Sequence, residues 1–277
     1  MKLSIITTVS SPSETRCLLS DMKRTLIENT EHLFPKEIAR YSGKTVYDSS
    51  CSPEAKVYYL PENQLFVKRS PKGSLENEAL MDKYYYSLGL GAEVILYLSE
   101  SEDWLVTKEV KGEDLTHESY LSRPEWLCDT LATTLRMLHS ISPVNCPIKS
   151  RNESYLATVD EGYKTGRFDP SYYGSDITPD NAYEIIKKSQ HILNGSVLLH
   201  GDYCLPNVIF QDNSFSGFID LGNGGVGDRH IDVYWGIWTL SFNLKTDKYR
   251  SRFIDAYGKD LIDPEALHLI SACECFG

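Results

Sequence analysis

Residues Leu198–Phe210 read LLHGDYCLPNVIF, with His200, Asp202, Pro206 and Asn207 set among apolar side chains. A plain core strand has no use for a carboxylate and a carboxamide five positions apart, so the stretch reads as a functional loop running into a strand. Thirteen residues beyond Asn207, at the end of a second strand-like run, SGFIDLG supplies Asp220. QDNS between the two runs predicts a hairpin, which brings Asn207 and Asp220 together. Both carry the hard oxygen ligands that Mg²⁺ takes when substrate phosphates and water complete its shell. Asp202 is then left to orient a hydroxyl and accept its proton. Alone, Asp202 reads as a turn aspartate. The three together read as phosphoryl-transfer chemistry.

That chemistry also needs a cation on the nucleotide phosphates. Lys68 in LFVKRS supplies one; by itself it would be a lysine blunting an edge strand. Glu78, ten residues on in the helical ENEALMDKYYY, is placed to pair with it. Ser49–Tyr59, SSCSPEAKVYY, lies between two strand-like runs and could cover the phosphates with backbone N–H groups and the Ser52 hydroxyl, although it holds no glycine.

Around this centre the hydrophobic rhythm divides the chain. Leu18, Leu19, Met22, Leu26 and Ile27 recur at helical spacing and predict an N-terminal helix over 16–40, ending near Pro35. KVYYL, QLFVKRS and VILYL then read as strands, with a helix over Leu75–Leu88 before the last of them. Trp104–Val110 is a further strand, and Lys111–Glu113 is the turn where two lobes join. PEWLCDTLATTLRMLHSI, from Pro124, predicts a strongly amphipathic helix. Beyond the join, strands are expected only around Val208–Gln211 and Phe215–Asp220. The fold class is therefore α+β in two lobes. Residues 1–107 form a small mixed nucleotide-binding lobe with an antiparallel sheet and the N-terminal helix. Residues 108–277 form a larger, mainly helical lobe for catalysis and substrate binding.

The chain has 277 residues, 41% hydrophobic and 24% charged, enough for a sizeable core. No apolar run approaches the ~20 residues of a membrane span, and the start lacks a clean signal-peptide pattern. Seven scattered cysteines suit a reducing compartment rather than a disulfide framework, and Cys273 with Cys275 lacks the further ligands of a zinc site. A cytoplasmic protein is expected. A formal charge of −11 opposes non-specific nucleic-acid binding and favours cationic partners.

H-G-D-Y-C-L-P-N, F-S-G-F-I-D-L-G and G-D-R-H-I-D together resemble the aminoglycoside 3′-phosphotransferases, bacterial antibiotic kinases with a protein-kinase-like fold. The resemblance extends through SPEAKVYYL, LFVKRS, the E-N-E helix and LRMLHSI, over roughly residues 45–277. It implies Asp202 as catalytic base, Asn207 and Asp220 on Mg²⁺, and Lys68 paired with Glu78 on the phosphates of ATP or GTP. It further implies Phe66 stacked on the purine and a hinge at Thr107–Val110, where the backbone at Lys108 and Val110 bonds the base. Substrate contacts are implied at Asp169 in RFDPSYYG and at Glu274 and Phe276 in ACECFG. The implied activity is transfer of the nucleotide γ-phosphate to an aminoglycoside hydroxyl, at the 3′ position, conferring resistance, by a monomer or homodimer.

The sequence departs from the family pattern at Pro170 and Cys273, where acids are expected, at Asn223, where an arginine is expected, and at Gly277, which follows the usual terminal aromatic residue. A macrolide, choline or sugar kinase remains open on the same motifs. So does a catalytically idle nucleotide-binding module, against which the intact Lys68, Glu78, Asp202, Asn207 and Asp220 argue. A protein kinase is opposed by the lack of an A-P-E stretch after Asp220. Phe66 reads equally as a core residue, His200 as a brace for its loop, and Asp228 and Asp232 as helix caps or supports behind that loop.

Overall fold

A computed structural model of the chain describes residues 24–50 and 55–277. Its N-terminal part is an antiparallel six-stranded sheet in the order β1-β2-β3-β4-β6-β5. The strands are β1 (Thr25–Leu26), β2 (Tyr47–Asp48), β3 (Lys56–Leu60), β4 (Leu65–Pro71), β5 (Val94–Ser99) and β6 (Glu102–Lys108). Alternation along β4 sorts its side chains. Leu65 and Val67 join a core with Ile38, Val46, Tyr58, Leu60, Trp104 and Val106, so Phe66 and Lys68 share the other face.

The helix reading over 16–40 is corrected where it falls on described residues. Thr25 and Leu26 pair with Asp48 and Tyr47 as a strand, and helix appears only as the single turn α1 (Lys36–Ala39) after Pro35. A sheet edge that offers backbone partners outweighs a helical period in a short segment. Residues 1–23 lie outside the described part.

Helix α2 (Glu76–Ser87) is the bridge between the parts. Ala79 packs with Leu75 and Leu105 under the sheet, whereas Met81 and Tyr85 enter the larger core, and the Tyr85 hydroxyl donates to Leu199 O at 2.9 Å. That larger core is helical. It contains α3 (Glu118–Leu121), α4 (Pro124–His139), α5 (Arg151–Thr165), α6 (Pro179–Ser189), α7 (His230–Leu244), α8 (Arg250–Tyr257) and α9 (Pro264–Glu274). In α4, Leu127, Leu131, Leu135 and Leu138 are wholly buried at a three-to-four spacing, with Pro124 at the helix start where its missing N–H costs nothing. Each such leucine contributes roughly 1.5–3 kcal/mol by burial.

Two small sheets carry the loops. One has the order β10-β9-β7, from β7 (Glu113–Asp114), β9 (Val208–Gln211) and β10 (Ser214–Phe218); the other pairs β8 (Val197–Leu199) with β11 (Gly225–Gly227). The β9–β10 hairpin turns through Asp212 (φ 51°) and Asn213 (φ 62°), both left-handed as a two-residue primed turn requires. The sequence reading placed this hairpin but ran its second strand on to Asp220 and missed β7, β8 and β11, which are too short to show a period. Among the described residues no helix is long and apolar enough to cross a membrane.

Candidate active site

Strand β4 and helix α2 bring Lys68 and Glu78 face to face. Lys68 Nζ lies 2.9 and 2.8 Å from the two Glu78 oxygens and 2.7 Å from Asp220 Oδ1 of the other lobe. Burial opposes the charge on Lys68, but Asp220 and Glu78 outweigh it and raise its pKa. Lys68 in turn holds the Asp220 carboxyl below its usual range, against the desolvation that would raise it. A fixed ammonium therefore sits between two carboxylates at the junction of the lobes.

The hairpin sets the second half of the site. Ile219 N–H donates to Asn207 O at 3.1 Å, so Asp220 follows directly beside Asn207. Asp220 has φ 60°, a left-handed conformation that aspartate tolerates better than most residues and that concentrates at functional sites. Asn207 Nδ2 donates to Asp202 O at 2.9 Å and to Asp202 Oδ2 at 3.1 Å. With its nitrogen turned to Asp202, Asn207 has its carboxamide oxygen left to act as a ligand. That oxygen and the Asp220 carboxylate fit Mg²⁺, which takes one or two protein oxygens and completes its shell with phosphate and water. No cage of three or more His, Cys, Asp or Glu side chains exists among the described residues.

The loop carrying Asp202 is braced from beneath. Asp232, wholly buried in the first turn of α7, accepts from His200 N at 2.8 Å and from Gly201 N at 2.7 Å. His139 Nε2 lies 3.1 Å from the same carboxylate, and His139 Nδ1 lies 2.8 Å from the Tyr257 hydroxyl. Burial lowers the His139 pKa despite the Asp232 charge. The ring thus bridges the Asp232 carboxylate and the Tyr257 hydroxyl. Gly201 has φ +85°, and a Cβ there would run into the carbonyl of Asn223, so the position accepts only glycine. His200 is wholly buried and its Nδ1 accepts from Asp202 N at 3.3 Å. Asp228 accepts from Gly195 N and from His230. The His139 brace was missed in the sequence; its signal was a lone histidine closing an amphipathic helix.

The remaining candidates are dispersed around this centre. Phe66 shares the face of Lys68, its ring 4.8 Å from Tyr59. The Lys108 N–H is committed to Glu93 O at 2.9 Å, so a base contact from Lys108 would use its carbonyl. Val110 follows two residues later, and Ser52 lies outside the described residues. Asp169 N–H donates to Cys275 O at 2.8 Å, which ties the 166–178 loop to the chain end, and its side chain caps Ser171. Glu274 is only 4% exposed; its Oε1 accepts from Tyr155 at 2.8 Å and from Trp235 Nε1 at 3.0 Å. The Phe276 ring is wholly buried near Tyr163, Phe168 and Tyr183, so it anchors the chain end and offers no face to a substrate. Cys273 is wholly buried too.

A lysine–glutamate pair on a small antiparallel lobe, facing an Asp-Asn loop and a left-handed aspartate on a helical lobe, defines a kinase of the two-lobed, protein-kinase-like class. The chain belongs to the phosphotransferase enzyme family: residues 54–270 match that family. A probable aminoglycoside 3′-phosphotransferase of Lactococcus lactis is 44% identical over 236 residues, 84% of this chain and 90% of that protein. An aminoglycoside 3′-phosphotransferase of Escherichia coli is 30% identical over 236 residues, 82% of this chain and 83% of the relative. Among solved structures, a type VIII aminoglycoside-3′-phosphotransferase superposes with a TM-score of 0.68 at 20% identity, over 83% of this chain and 91% of that one.

Proposed function

We propose that the chain transfers the γ-phosphate of ATP or GTP to the 3′-hydroxyl of an aminoglycoside and thereby confers resistance to it. The observation that carries the reading is Lys68 Nζ held at 2.7–2.9 Å by both Glu78 and Asp220. Glu78 aims the ammonium, and the bond to Asp220 is exchanged for the nucleotide phosphates when they arrive. Asn207 Oδ1 and the Asp220 carboxylate would hold Mg²⁺, which would supply positive charge to offset that of the phosphates. Phe66 stacks on the purine, whose edge is read by the Lys108 carbonyl and the Val110 N–H. The loop that holds Ser52 covers the phosphates. Asp202, steadied by Asn207, orients the acceptor hydroxyl and takes its proton as the phosphoryl group moves.

On the acceptor side, Asp169 offers negative charge to the ammonium groups of the drug, and Glu274, buried and bonded to Tyr155 and Trp235, shapes the region from within while Phe276 keeps it in place. Lobe 1–107 binds the nucleotide and lobe 108–277 binds the acceptor. A coupled assay of ADP or GDP release, with Mg²⁺ and a panel of aminoglycosides, tests the reading. Kanamycin should support turnover and its 3′-deoxy analogue should not. Turnover of choline or a macrolide alone would overturn the substrate class. In the same assay Lys68→Ala leaves Glu78 and Asp220 facing each other without their cation. It should lower kcat/KM for nucleotide by about 10²-fold or more; an unchanged value would remove Lys68 from the phosphates.

A further inference from the structure

The ten residues Ile231–Leu240 of α7 are all buried except Trp238, which reaches the surface. The helix that carries it, α7, also touches the loop after Asp202 and supplies one of the residues that hold Glu274. Thr239 Oγ1, the next side chain, accepts from Leu205 N at 3.2 Å, three residues after Asp202. In the other direction the Trp238 ring lies 5.3 Å from the Trp235 ring, whose Nε1 holds Glu274. Tyr172, on the loop that begins at Asp169, sets its ring 5.8 Å away at a tilt of 33°. Phe242 stacks 5.0 Å away at 11° on the following turn. The result is a continuous, partly exposed aromatic row along α7, joined by Tyr172 from the loop that begins at Asp169. Its far end already binds a cation: the Lys245 ammonium lies 4.1 Å over the Phe242 ring.

We infer that Trp238, with Tyr172 beside it, is a specificity-determining platform for a ring of the acceptor, taking a cationic, polyhydroxylated ring by apolar and cation–π contact. The inference rests on the proposed aminoglycoside reading and names how this chain holds such a substrate where acids are replaced at Pro170 and Cys273. Aromatic faces attract ammonium groups through the negative centre of the ring and lose little to desolvation, so they can supply binding that a carboxylate would otherwise give.

Steady-state kinetics of the full chain with kanamycin and ATP test this. Trp238→Ala should raise KM for kanamycin about tenfold while kcat and KM for ATP stay within about threefold. Trp238→Phe should restore most of the loss, whereas Trp238→Leu, which keeps apolar bulk without an aromatic face, should not; equal rescue by both would reduce Trp238 to packing. If Trp238→Ala does not fold, Tyr172→Leu, on a surface turn, should move KM for kanamycin in the same direction. Wild-type turnover of kanamycin with an unchanged KM in a folded variant overturns the platform alone. Absence of any aminoglycoside turnover by the wild type overturns the functional reading and the platform with it.

Discussion

Replacing Asp202 by asparagine should lower kcat by about 10²–10⁴-fold while Mg-nucleotide affinity stays within about threefold. The amide has nearly the same shape and keeps an acceptor for Asn207 Nδ2, which now bonds Asp202 Oδ2 at 3.1 Å. What it loses is the capacity to take a proton from the acceptor hydroxyl. Binding of nucleotide, by titration with Mg²⁺ present, and single-turnover transfer together decide the matter. An equal loss of affinity and rate would place Asp202 on the metal instead. Asp220→Asn should give the opposite pattern, with Mg-nucleotide affinity falling first, because the charge that Lys68 now stabilises is the one the ion would use.

Asp232→Ala is expected to be the most damaging change away from the reacting atoms. It removes the acceptor of two buried backbone donors, His200 N and Gly201 N, and the partner of His139 Nε2. Leaving such groups buried and unsatisfied costs about 1–3 kcal/mol each, so a total near 3–5 kcal/mol is expected after relaxation. That corresponds to a fall in Tm of roughly 10 °C. Activity should drop even where the protein stays folded, because Gly201 immediately precedes Asp202. A thermal melt within about 2 °C of wild type, with normal turnover, would show that the loop holds its shape without the brace.

The residues that the structure gathers into the candidate site were legible because their spacing is local. HGDYCLPN is one loop and one short turn, and Asp212–Asn213 is a pair that accepts left-handed backbone, so the hairpin carrying Asn207 and Asp220 follows from neighbours in sequence. Lys68 and Glu78 were readable in the same way, as alternate positions on a strand and the first turn of the next helix. The supports were less so. Asp232 was foreseen only as a cap or a support, and its bond network with His139 and Tyr257 depends on helices brought together by core packing.

The sequence by itself determined the fold class, the main strands and helices on either side of the site, and which side chains could carry phosphoryl transfer, since these rest on backbone preference and hydrophobic period. Only the tertiary structure decided that Lys68 meets Asp220 across 152 residues, that Leu26 pairs in a sheet rather than coiling, and that Glu274 lies buried under Trp235. Those outcomes turn on burial and pairing between segments far apart in the chain. Their energies depend on which surfaces meet, and no local window of residues contains that information.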